Sequence, residues 1–458
     1  MKKSIIFFLT FVMSVTFTYT TAFSEKDNNR VKGDEPVKTE EKQESAKKET
    51  EEKKEEKKEI PEQNLISFGP EIKAQSAILI NPSTNTVLYE KNPDAKMYPA
   101  STTKIMTAYL ALTKIKDLDK ELKASATAVD IDRDGSNMGL SEGEVLSARL
   151  LLQSLMIHSA NDAANVLAEE VSGSIEEFVK LMNSTAKKLG MKNTHFCNPH
   201  GYHDDNHYTT ARDMAILAKR AMANETFAEM SAMTSLTIAP TNKYKTERIF
   251  RTRNAMMNKY SDYSIQYRFA NGIKTGHTSD AGYCFVGSAI KNDLDLISVV
   301  FKSPNYNQSF IDTKALFEYA YANHRMRIVI KGDEIASTCK VRWSLGKDHL
   351  VLVTKKDVKA LLPRDTYTAE LLKSEFLLDK KITAPVKEGD VLGKARFYYD
   401  GELVAESDLY ASRSVSRNVV KQILSYVLNI WFISTLGILV ILILIKRFKK
   451  KPTKKKRR

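Results

Sequence analysis

Three short motifs contain side chains that could support nucleophilic catalysis. Ser101 and Lys104 are the ends of the first motif, Ser-Thr-Thr-Lys. Ser159 and Asn161 are the ends of the second, Ser-Ala-Asn, and Lys274 begins the third, Lys-Thr-Gly. A serine hydroxyl becomes a nucleophile when an adjacent base accepts its proton, and a lysine amine is such a base when burial lowers its pKa. The motifs therefore predict serine chemistry of the Ser-Lys type, which needs no histidine.

The elements predicted around the first two motifs would position these groups. Ser101 follows Pro99 by two residues at the start of a predicted helix, near exposed N–H groups and the positive end of the helix dipole. Lys104 lies three residues further on and shares a helical face with Ser101. Ser159 is then a candidate proton relay between the amine and a leaving group, and Asn161 is a candidate hydrogen-bonding partner for a substrate amide.

The third motif is predicted to serve a substrate carboxylate and a developing oxyanion. On an edge strand, Lys274 and Thr275, followed by Gly276, could bind a carboxylate. The backbone N–H groups of Ser101 and His277 could form an oxyanion hole. Each motif alone is common, and a serine at a helix start is usually a cap. The three motifs in this order favour catalysis instead.

Both ends of the chain carry membrane signals. Residues 1–22 combine Lys2 and Lys3 with an apolar stretch, and we interpret them as a secretory signal peptide, with an uncleaved anchor as the alternative. Residues 427–445 are apolar and uncharged, close to the roughly 20 residues that span a bilayer. The basic tail, 446–458, predicts that this end is cytoplasmic. We therefore expect a single-pass cell-membrane protein with its catalytic domain on the extracellular face.

The net charge of +14 is concentrated in that tail. Residues 446–458 contain ten basic residues and no acidic ones, so the rest of the chain carries only about +4. Because the basicity belongs to the tail, it does not indicate nucleic-acid binding. The hydrophobic content of 42% and charged content of 28% are typical of a globular protein.

Between its ends the chain divides into a spacer, two predicted domains and a linker. Residues 23–64 are almost all polar or charged, which predicts a disordered Lys/Glu-rich spacer. Residues 65–325 are predicted to form an α/β (α+β) catalytic domain, in which a helical cluster is inserted between the strands of a mixed sheet. Residues 326–412 alternate Val-, Ile- and Tyr-rich runs with turn residues, as in a small β-sandwich-like domain. A linker, 413–426, precedes the transmembrane helix.

Hydrophobic periodicity predicts individual elements of the catalytic domain. A hairpin is expected at 77–92 and a closing helix at 310–323. The other predicted elements are helices over 147–158, 162–171, 175–189 and 210–223, and strands over 283–290 and 295–301.

The three motifs together resemble those of the penicillin-recognising serine enzymes. The segments 190–201 (GMKNTHFCNPHG), 207–215 (HYTTARDMA) and 274–284 (KTGHTSDAGYC) are similar to the D-alanyl-D-alanine carboxypeptidases, the low-molecular-mass penicillin-binding proteins. The resemblance covers about residues 66–412 and implies a β-lactamase/transpeptidase-like catalytic domain followed by a β domain. Family members often end in an amphipathic helix on the membrane, whereas this chain is predicted to span it.

The resemblance implies a two-step acyl transfer on peptidoglycan stem peptides. Ser101 would attack the carbonyl between the last two D-alanines, the terminal D-alanine would leave, and water would hydrolyse the acyl-enzyme. Lys104 would accept the serine proton, and Ser159, in the second motif, would relay protons. Lys274 and Thr275 would bind the terminal carboxylate. β-Lactam inhibitors would acylate the same serine, and no cofactor or metal is implied.

Three other functions compete with this one. A serine β-lactamase of class A uses a glutamate in an E-x-x-x-N pattern, and no such pattern occurs between Ser159 and Lys274. D,D-endopeptidase cleavage of cross-links would use the same site and stays open. A catalytically silent wall-binding protein is disfavoured because every motif residue is present.

The histidines and cysteines are predicted to be structural. Three cysteines are an odd number without zinc-ligand spacing, which favours free thiols over disulfides. Four histidines lie within thirteen positions and could hold a metal, but the resemblance favours hydrogen-bonded structural roles. These residues are Cys197, Cys284 and Cys339, and His195, His200, His203 and His207.

Overall fold

The protein is described by a computed structural model over residues 69–131, 135–379 and 381–449. The predicted signal peptide (1–22) and spacer (23–64) lie outside the described residues, as does most of the predicted basic tail. Within the described residues, two folded regions follow one another and a long helix comes last.

The catalytic region is built on an antiparallel sheet. Its strands are β1 (Ser76–Asn81), β2 (Thr86–Lys91), β3 (Glu121–Lys123), β4 (Val145–Ser147), β5 (Ser235–Ile238), β6 (Arg248–Arg251), β7 (Ala270–Thr278), β8 (Gly282–Lys291) and β9 (Leu294–Ser303). Five of them form the main sheet in the order β2-β1-β9-β8-β7, and all its pairs are antiparallel. The predicted mixed sheet is therefore wrong. Hairpins join β1 to β2 and β7 to β8 to β9, and the β8–β9 turn has Asn292 and Asp293 at positive φ, as a two-residue hairpin turn requires.

Helices cover both faces of the sheet. They are α1 (Lys104–Lys114), α2 (Ala126–Val129), α3 (Ala148–Ile157), α4 (Asn161–Ser172), α5 (Ile175–Leu189), α6 (Ala211–Met222), α7 (Glu225–Ala232) and α8 (Tyr306–Asn323). The bounds of α3 to α6 agree with the predicted helices within one or two residues. Helix α8 begins four residues before the predicted start, because the Asn305 side chain accepts a hydrogen bond from the Gln308 N–H and caps it there.

The core has two layers, one on each side of the sheet. Because side chains alternate along a strand, Val299 packs against the α1–α7 cluster while Val300 packs against α8. Met106 and Phe178 are buried in the first layer, and Phe317 is buried in the second. Burial of both faces explains why β1 shows six consecutive buried residues instead of an alternating pattern.

A region of short strands follows α8 directly. Its strands are β10 (His324–Ile330), β11 (Ile335–Lys340), β12 (His349–Val353), β13 (Val358–Pro363), β14 (Leu372–Leu378), β15 (Val391–Tyr399) and β16 (Glu402–Ala411). One sheet has the order β11-β12-β16-β15-β14, and β10 pairs with β13 in a second. Leu350, Leu352, Phe397 and Leu409 belong to a separate core between them. The region therefore has its own hydrophobic interior, as a domain does.

The last helix, α9, runs from Val419 to Lys449. It is the one helix of the described residues that is long and apolar enough to cross a membrane, and its most apolar part is buried by no other part of the protein. It begins eight residues before the predicted span, inside the segment 413–426 that was predicted to be a linker.

Candidate active site

Ser101 and Lys104 lie on one tight turn that leads into α1. Ser101 is in a 3₁₀ turn, Ala100–Thr103, and Lys104 is the first residue of the α-helix. The Lys104 Nζ is 2.9 Å from the Ser101 Oγ. The same nitrogen is 2.7 Å from the Asn161 Oδ1 and 2.7 Å from the His200 carbonyl oxygen. The amine is thus held against the hydroxyl by contacts from two distant parts of the chain.

The Lys104 side chain is completely buried, which changes its acid–base chemistry. Burial, with the nearby positive charges of Lys274 and then Arg253, lowers the pKa of the Lys104 amine well below its usual range. This shift favours the neutral amine, which is the form that a proton acceptor for Ser101 requires.

The second motif joins α3 to α4. Ser159 has a φ of +69°, a conformation that is uncommon outside glycine and that often occurs at functional sites. Its Oγ is buried and has no hydrogen-bond partner among the described residues. Asn161 begins α4, and its backbone N–H donates to the Ser136 carbonyl at 2.7 Å. Its side-chain oxygen is occupied by Lys104, whereas the hydroxyl of Ser159 is unengaged among the described residues.

The third motif lies on β7, which is the outer strand of the main sheet. Lys274 is only 2% exposed, and burial followed by the charge of Arg253 lowers the pKa of its amine to about 7. Gly276 brings the strand against the Ser101 turn: a Cβ there would lie 2.9 Å from the Pro99 oxygen and 3.0 Å from the Ser101 nitrogen. Glycine is therefore required for this close approach.

A cleft of about 910 Å³ opens between these motifs. Six of the eight predicted site residues line it: Ser101, Ser159, Asn161, Thr275, Gly276 and His277. The other two, Lys104 and Lys274, are buried behind its surface. The structure therefore brings all eight residues to one place, although up to 176 positions separate them in the chain.

Comparison with known proteins places this site in a family. The family model for D-alanyl-D-alanine carboxypeptidase matches residues 59–305, and that for the penicillin-binding protein 5 C-terminal domain matches 325–417. D-alanyl-D-alanine carboxypeptidase DacF of Bacillus subtilis is 33% identical over 75% of this chain and 86% of its own. The chain belongs to the D-alanyl-D-alanine carboxypeptidase family.

Other relatives agree with this assignment. D-alanyl-D-alanine carboxypeptidase DacA of Escherichia coli is 31% identical over 78% of this chain and 88% of its own. The crystal structure of penicillin binding protein 5 from Haemophilus influenzae superimposes with a TM-score of 0.65 at 31% identity, over 76% of this chain and 99% of that one. The predicted family, fold class and enzyme class, a serine-type D-Ala-D-Ala carboxypeptidase, are confirmed.

Several residues of this carboxypeptidase site were missed by the sequence analysis. Arg253 lines the cleft, and its guanidinium forms no ion pair among the described residues. The Asp162 carboxylate accepts backbone N–H groups of Met138 and Leu140, which fixes the loop that presents Ser136 to the cleft. The helical position of Asp162, in the first turn of α4, was the only available signal for its role.

The histidine cluster supports the backbone around Ser101. The Cys197 N–H donates to the His207 Nδ1, so the Nε2 carries the proton and donates to the Thr103 hydroxyl at 2.8 Å. Burial lowers the pKa of His207 to about 3, which keeps the ring neutral. His195 likewise contacts the Asn206 carbonyl at 2.8 Å. His195 and His207 therefore have the hydrogen-bonded roles that were predicted, whereas the Nδ1 of His203, in the wall of the cleft, has no hydrogen-bond partner among the described residues. The three cysteines are free thiols.

Gly201→Ala is expected to damage the carboxypeptidase site severely. Gly201 has a φ of +86°, and a Cβ there would lie 1.8 Å from the Ala100 oxygen, so the turn that carries Ser101 must move. A displacement of about 1 Å in a catalytic group costs on the order of 10²-fold in rate, and we expect at least that loss in D-alanine release.

A matched control for this variant is Gly190→Ala. Gly190 has almost the same φ, +85°, but has open space around its Cβ position. The control should lose about 1–2 kcal/mol of stability from the backbone conformation alone and keep its activity. Thermal unfolding and D-alanine release measured on both variants separate the two effects; equal losses of activity would contradict the role assigned to Gly201.

Proposed function

We propose that this enzyme removes the C-terminal D-alanine from peptidoglycan stem pentapeptides through an acyl-enzyme on Ser101. The observation that carries the proposal is the contact of the buried Lys104 amine with the Ser101 hydroxyl at 2.9 Å, inside a cleft that also contains the second and third motifs. A neutral base beside a hydroxyl is the arrangement that acyl transfer by a serine needs.

The contacts of Lys104 explain how its neutral form would be oriented. A neutral amine has two N–H bonds and one lone pair. The Asn161 and His200 oxygens accept the two N–H bonds, each at 2.7 Å. The lone pair is then directed at Ser101, the third neighbour, and can accept its proton. The ammonium form would instead donate to all three oxygens and could not act as a base.

In the acylation step, the Ser101 Oγ would form a bond to the carbonyl carbon of the penultimate D-alanine as its proton moves to Lys104. The carbonyl oxygen becomes an oxyanion, for which the backbone N–H groups of Ser101 and His277 are the proposed donors. The C–N bond then breaks, and the leaving amine takes a proton that Ser159 relays from Lys104. Water hydrolyses the resulting ester by the reverse sequence of proton transfers.

The opposite side of the cleft is suited to a carboxylate. Lys274 is buried, and its Nζ contacts only the Thr275 carbonyl, at 3.0 Å, without a carboxylate partner among the described residues. A buried cation without a counter-ion is unfavourable, so a substrate carboxylate would supply the missing charge. Arg253 adds a second unpaired cation at the mouth of the same cleft. We propose that Lys274, Thr275 and Arg253 bind the terminal carboxylate.

The direct test uses the full-length protein and two substrates. Free D-alanine should be released from a pentapeptide ending in D-Ala-D-Ala, and the protein should be labelled by a fluorescent penicillin, a β-lactam that would acylate the same serine. Cleavage of cross-linked dimers without release of D-alanine from the pentapeptide would instead assign the site to a D,D-endopeptidase. Turnover of a chromogenic β-lactam at hundreds per second would assign it to a β-lactamase.

The activity should decline above neutral pH because Lys274 loses its charge. The pKa of Lys274 in the free enzyme is lowered to about 7, so kcat/KM should fall as the pH rises through that value. A bound carboxylate favours the ammonium, so the corresponding limb of kcat should lie at higher pH. Lys274→Arg keeps its charge and should lose this alkaline limb. Persistence of the limb in Lys274→Arg would exclude Lys274 as its cause.

We also propose that α9 anchors the enzyme in the cell membrane. The support is the uncharged run 427–445 within α9 and the Lys/Arg-rich tail, 446–458, that follows it. In this arrangement the catalytic domain (65–325) and the β domain (326–412) are extracellular, next to the peptidoglycan. The signal peptide (1–22), the spacer (23–64) and the linker, now shortened at its end by α9, complete the proposed organisation.

A further inference from the structure

The loop between β11 and β12, residues 341–348, is attached to the beginning of α9. The Trp343 Nε1 donates a hydrogen bond to the Ser425 Oγ at 2.9 Å. The Lys421 Nζ forms an ion pair with the Asp348 carboxylate at 2.6 Å. These contacts connect side chains one turn apart on the helix, so the loop and the first two turns of α9 are held together.

The attachment sets the height of this loop relative to the membrane. Ser425 and Tyr426 immediately precede residues 427–445, and the Trp343 and Tyr426 rings lie 5.6 Å apart. If that run crosses the hydrocarbon core, as proposed above, Trp343 is level with the outer surface of the bilayer. Tryptophan and tyrosine are enriched at this level because one end of each ring system is apolar and the other can hydrogen-bond.

The first two turns of α9 have a second, apolar face. Val420, Ile423 and Leu424 are 75%, 58% and 56% exposed, and with Val427 they have the spacing of a single helical stripe. Lys421 and Ser425, four residues apart, make the contacts to the β domain. An apolar stripe continuous with the span indicates that lipid reaches as far up the helix as Val420. The attached loop lies beside these same turns.

The loop itself has the composition of a membrane-interface segment. Leu345 is 62% exposed, next to Gly346, which has a φ of +96° at the turn. Asp348 is the one acidic residue in 341–348 and in the segment 413–421 that leads into α9, and it is already paired. Besides Lys421, which is paired with Asp348, the same two segments contain four cations: Arg342, Lys347, Arg413 and Arg417.

We propose that the β11–β12 loop is a second membrane contact, in which Trp343 and Leu345 lie among the headgroups of the outer leaflet and the surrounding cations bind anionic lipids. Apolar side chains combined with several cations are what peripheral membrane contacts use. The β domain would then be held on the bilayer surface at two points, by the helix and by the loop. This inference rests on the proposed membrane span.

The two tryptophans of the chain, Trp343 and Trp431, allow a direct test. Trp431→Phe leaves Trp343 as the only tryptophan, and Trp343→Phe leaves Trp431, which lies inside the span. Full-length variants are reconstituted into phosphatidylcholine vesicles, with or without phosphatidylglycerol, that contain lipids with a nitroxide near the headgroup. We expect nitroxide to quench Trp343 by about twofold or more, and iodide in the water to quench it little.

The same pair distinguishes the loop contact from the span. Quenching of Trp431 by nitroxide without quenching of Trp343 would overturn the loop contact and leave the span intact. Absence of quenching at both positions would overturn the span itself, and the loop contact with it. Equal quenching of Trp343 with and without phosphatidylglycerol would overturn the part assigned to anionic lipids.

A loop variant provides a further control. Leu345→Asp places a charge at the exposed tip and should reduce nitroxide quenching of Trp343 about twofold, because a carboxylate is repelled by anionic lipids and is costly to bury among them. It should not change D-alanine release from a soluble pentapeptide, since Leu345 does not line the cleft. Unchanged quenching in Leu345→Asp would contradict the placement of Leu345 at the membrane.

Discussion

Ser101→Ala is expected to reduce D-alanine release about 10⁵-fold, because the nucleophile of a covalent mechanism is lost while the rest of the site is kept. The methyl group of alanine fits the space of the serine side chain. The Lys104 amine keeps its contacts with the Asn161 and His200 oxygens. Substrate binding should therefore survive, and the loss should appear in kcat. Labelling by fluorescent penicillin should disappear completely.

The matched control for this prediction is Ser184→Ala. Ser184 is an exposed serine on α5, outside the cleft, and its hydroxyl contacts only the Leu181 carbonyl of its own helix. Release of D-alanine, penicillin labelling and thermal unfolding should all match the wild type. Residual covalent labelling of Ser101→Ala would assign the nucleophile to another residue, and a large drop in its unfolding temperature would show that the loss of activity is a folding defect.

The parts of the site that could be predicted are those set by local geometry. Lys104 follows Ser101 by three residues, so any helical turn places the two side chains on one face. The sequence Asn161-Asp162 at the start of an apolar periodic segment indicates a helix N-terminus. An edge strand at Lys274 was assumed for its carboxylate-binding role, and the structure places the motif on the outer strand β7. Short-range spacing is enough for each of these predictions.

Contacts that depend on long-range packing could not be predicted in this way. The His200 carbonyl that orients Lys104 is 96 residues away from it, and a backbone carbonyl has no signature in the sequence. Arg253 lies in an irregular segment after β6, where no periodicity indicates which side chains face the cleft. The antiparallel pairing of β1 with β9 depends on how the chain returns to the sheet after the helical cluster, so the predicted mixed sheet was wrong although its strands were placed correctly.

The β domain shows the same division between local and long-range information. Alternating runs and turn residues predicted its strands. Its attachment to α9 through Trp343 and Ser425 joins residues 82 positions apart. The predicted linker failed for a related reason: Asn418 accepts the Lys421 N–H and so allows the helix to start at Val419, while the linker was defined only by where the uncharged run begins.

Replacement of Lys104 separates its role as a base from its role as a positive charge. Lys104→Met removes the amine and approximates its shape, and Lys104→Arg keeps a positive charge that is not lost at accessible pH. If Lys104 accepts the serine proton, both variants should acylate about 10³-fold more slowly, because the contribution of a general base is lost in each. If only a positive charge were needed, Lys104→Arg would retain its rate. Single-turnover labelling by fluorescent penicillin measures this step.

The pH dependence of the same variants gives an independent test. In the wild type the Lys104 pKa is lowered, so the acylation rate should fall as acid converts the amine to the ammonium. Lys104→Met should show no such limb. The lowered pKa of Lys104 also makes stability depend on pH. The amine holds its proton less tightly in the folded protein than in the unfolded chain, so the free energy of unfolding should rise as the pH increases from the folded pKa towards the ordinary lysine value. Lys104→Met should lose this rise.

Lys187→Met is the control for both measurements, since Lys187 is exposed in the last turn of α5 and does not line the cleft. Its acylation rate and pH profile should match the wild type.

Lys104→Met also leaves the Asn161 and His200 oxygens without a donor, which costs about 1–3 kcal/mol. This cost is opposed below the folded pKa by removal of a buried charge, so the variant should be relatively most stable in acid. An acylation rate within tenfold of the wild type would remove Lys104 from the proton path and direct attention to Ser159, whose buried hydroxyl lines the same cleft and has no hydrogen-bond partner among the described residues.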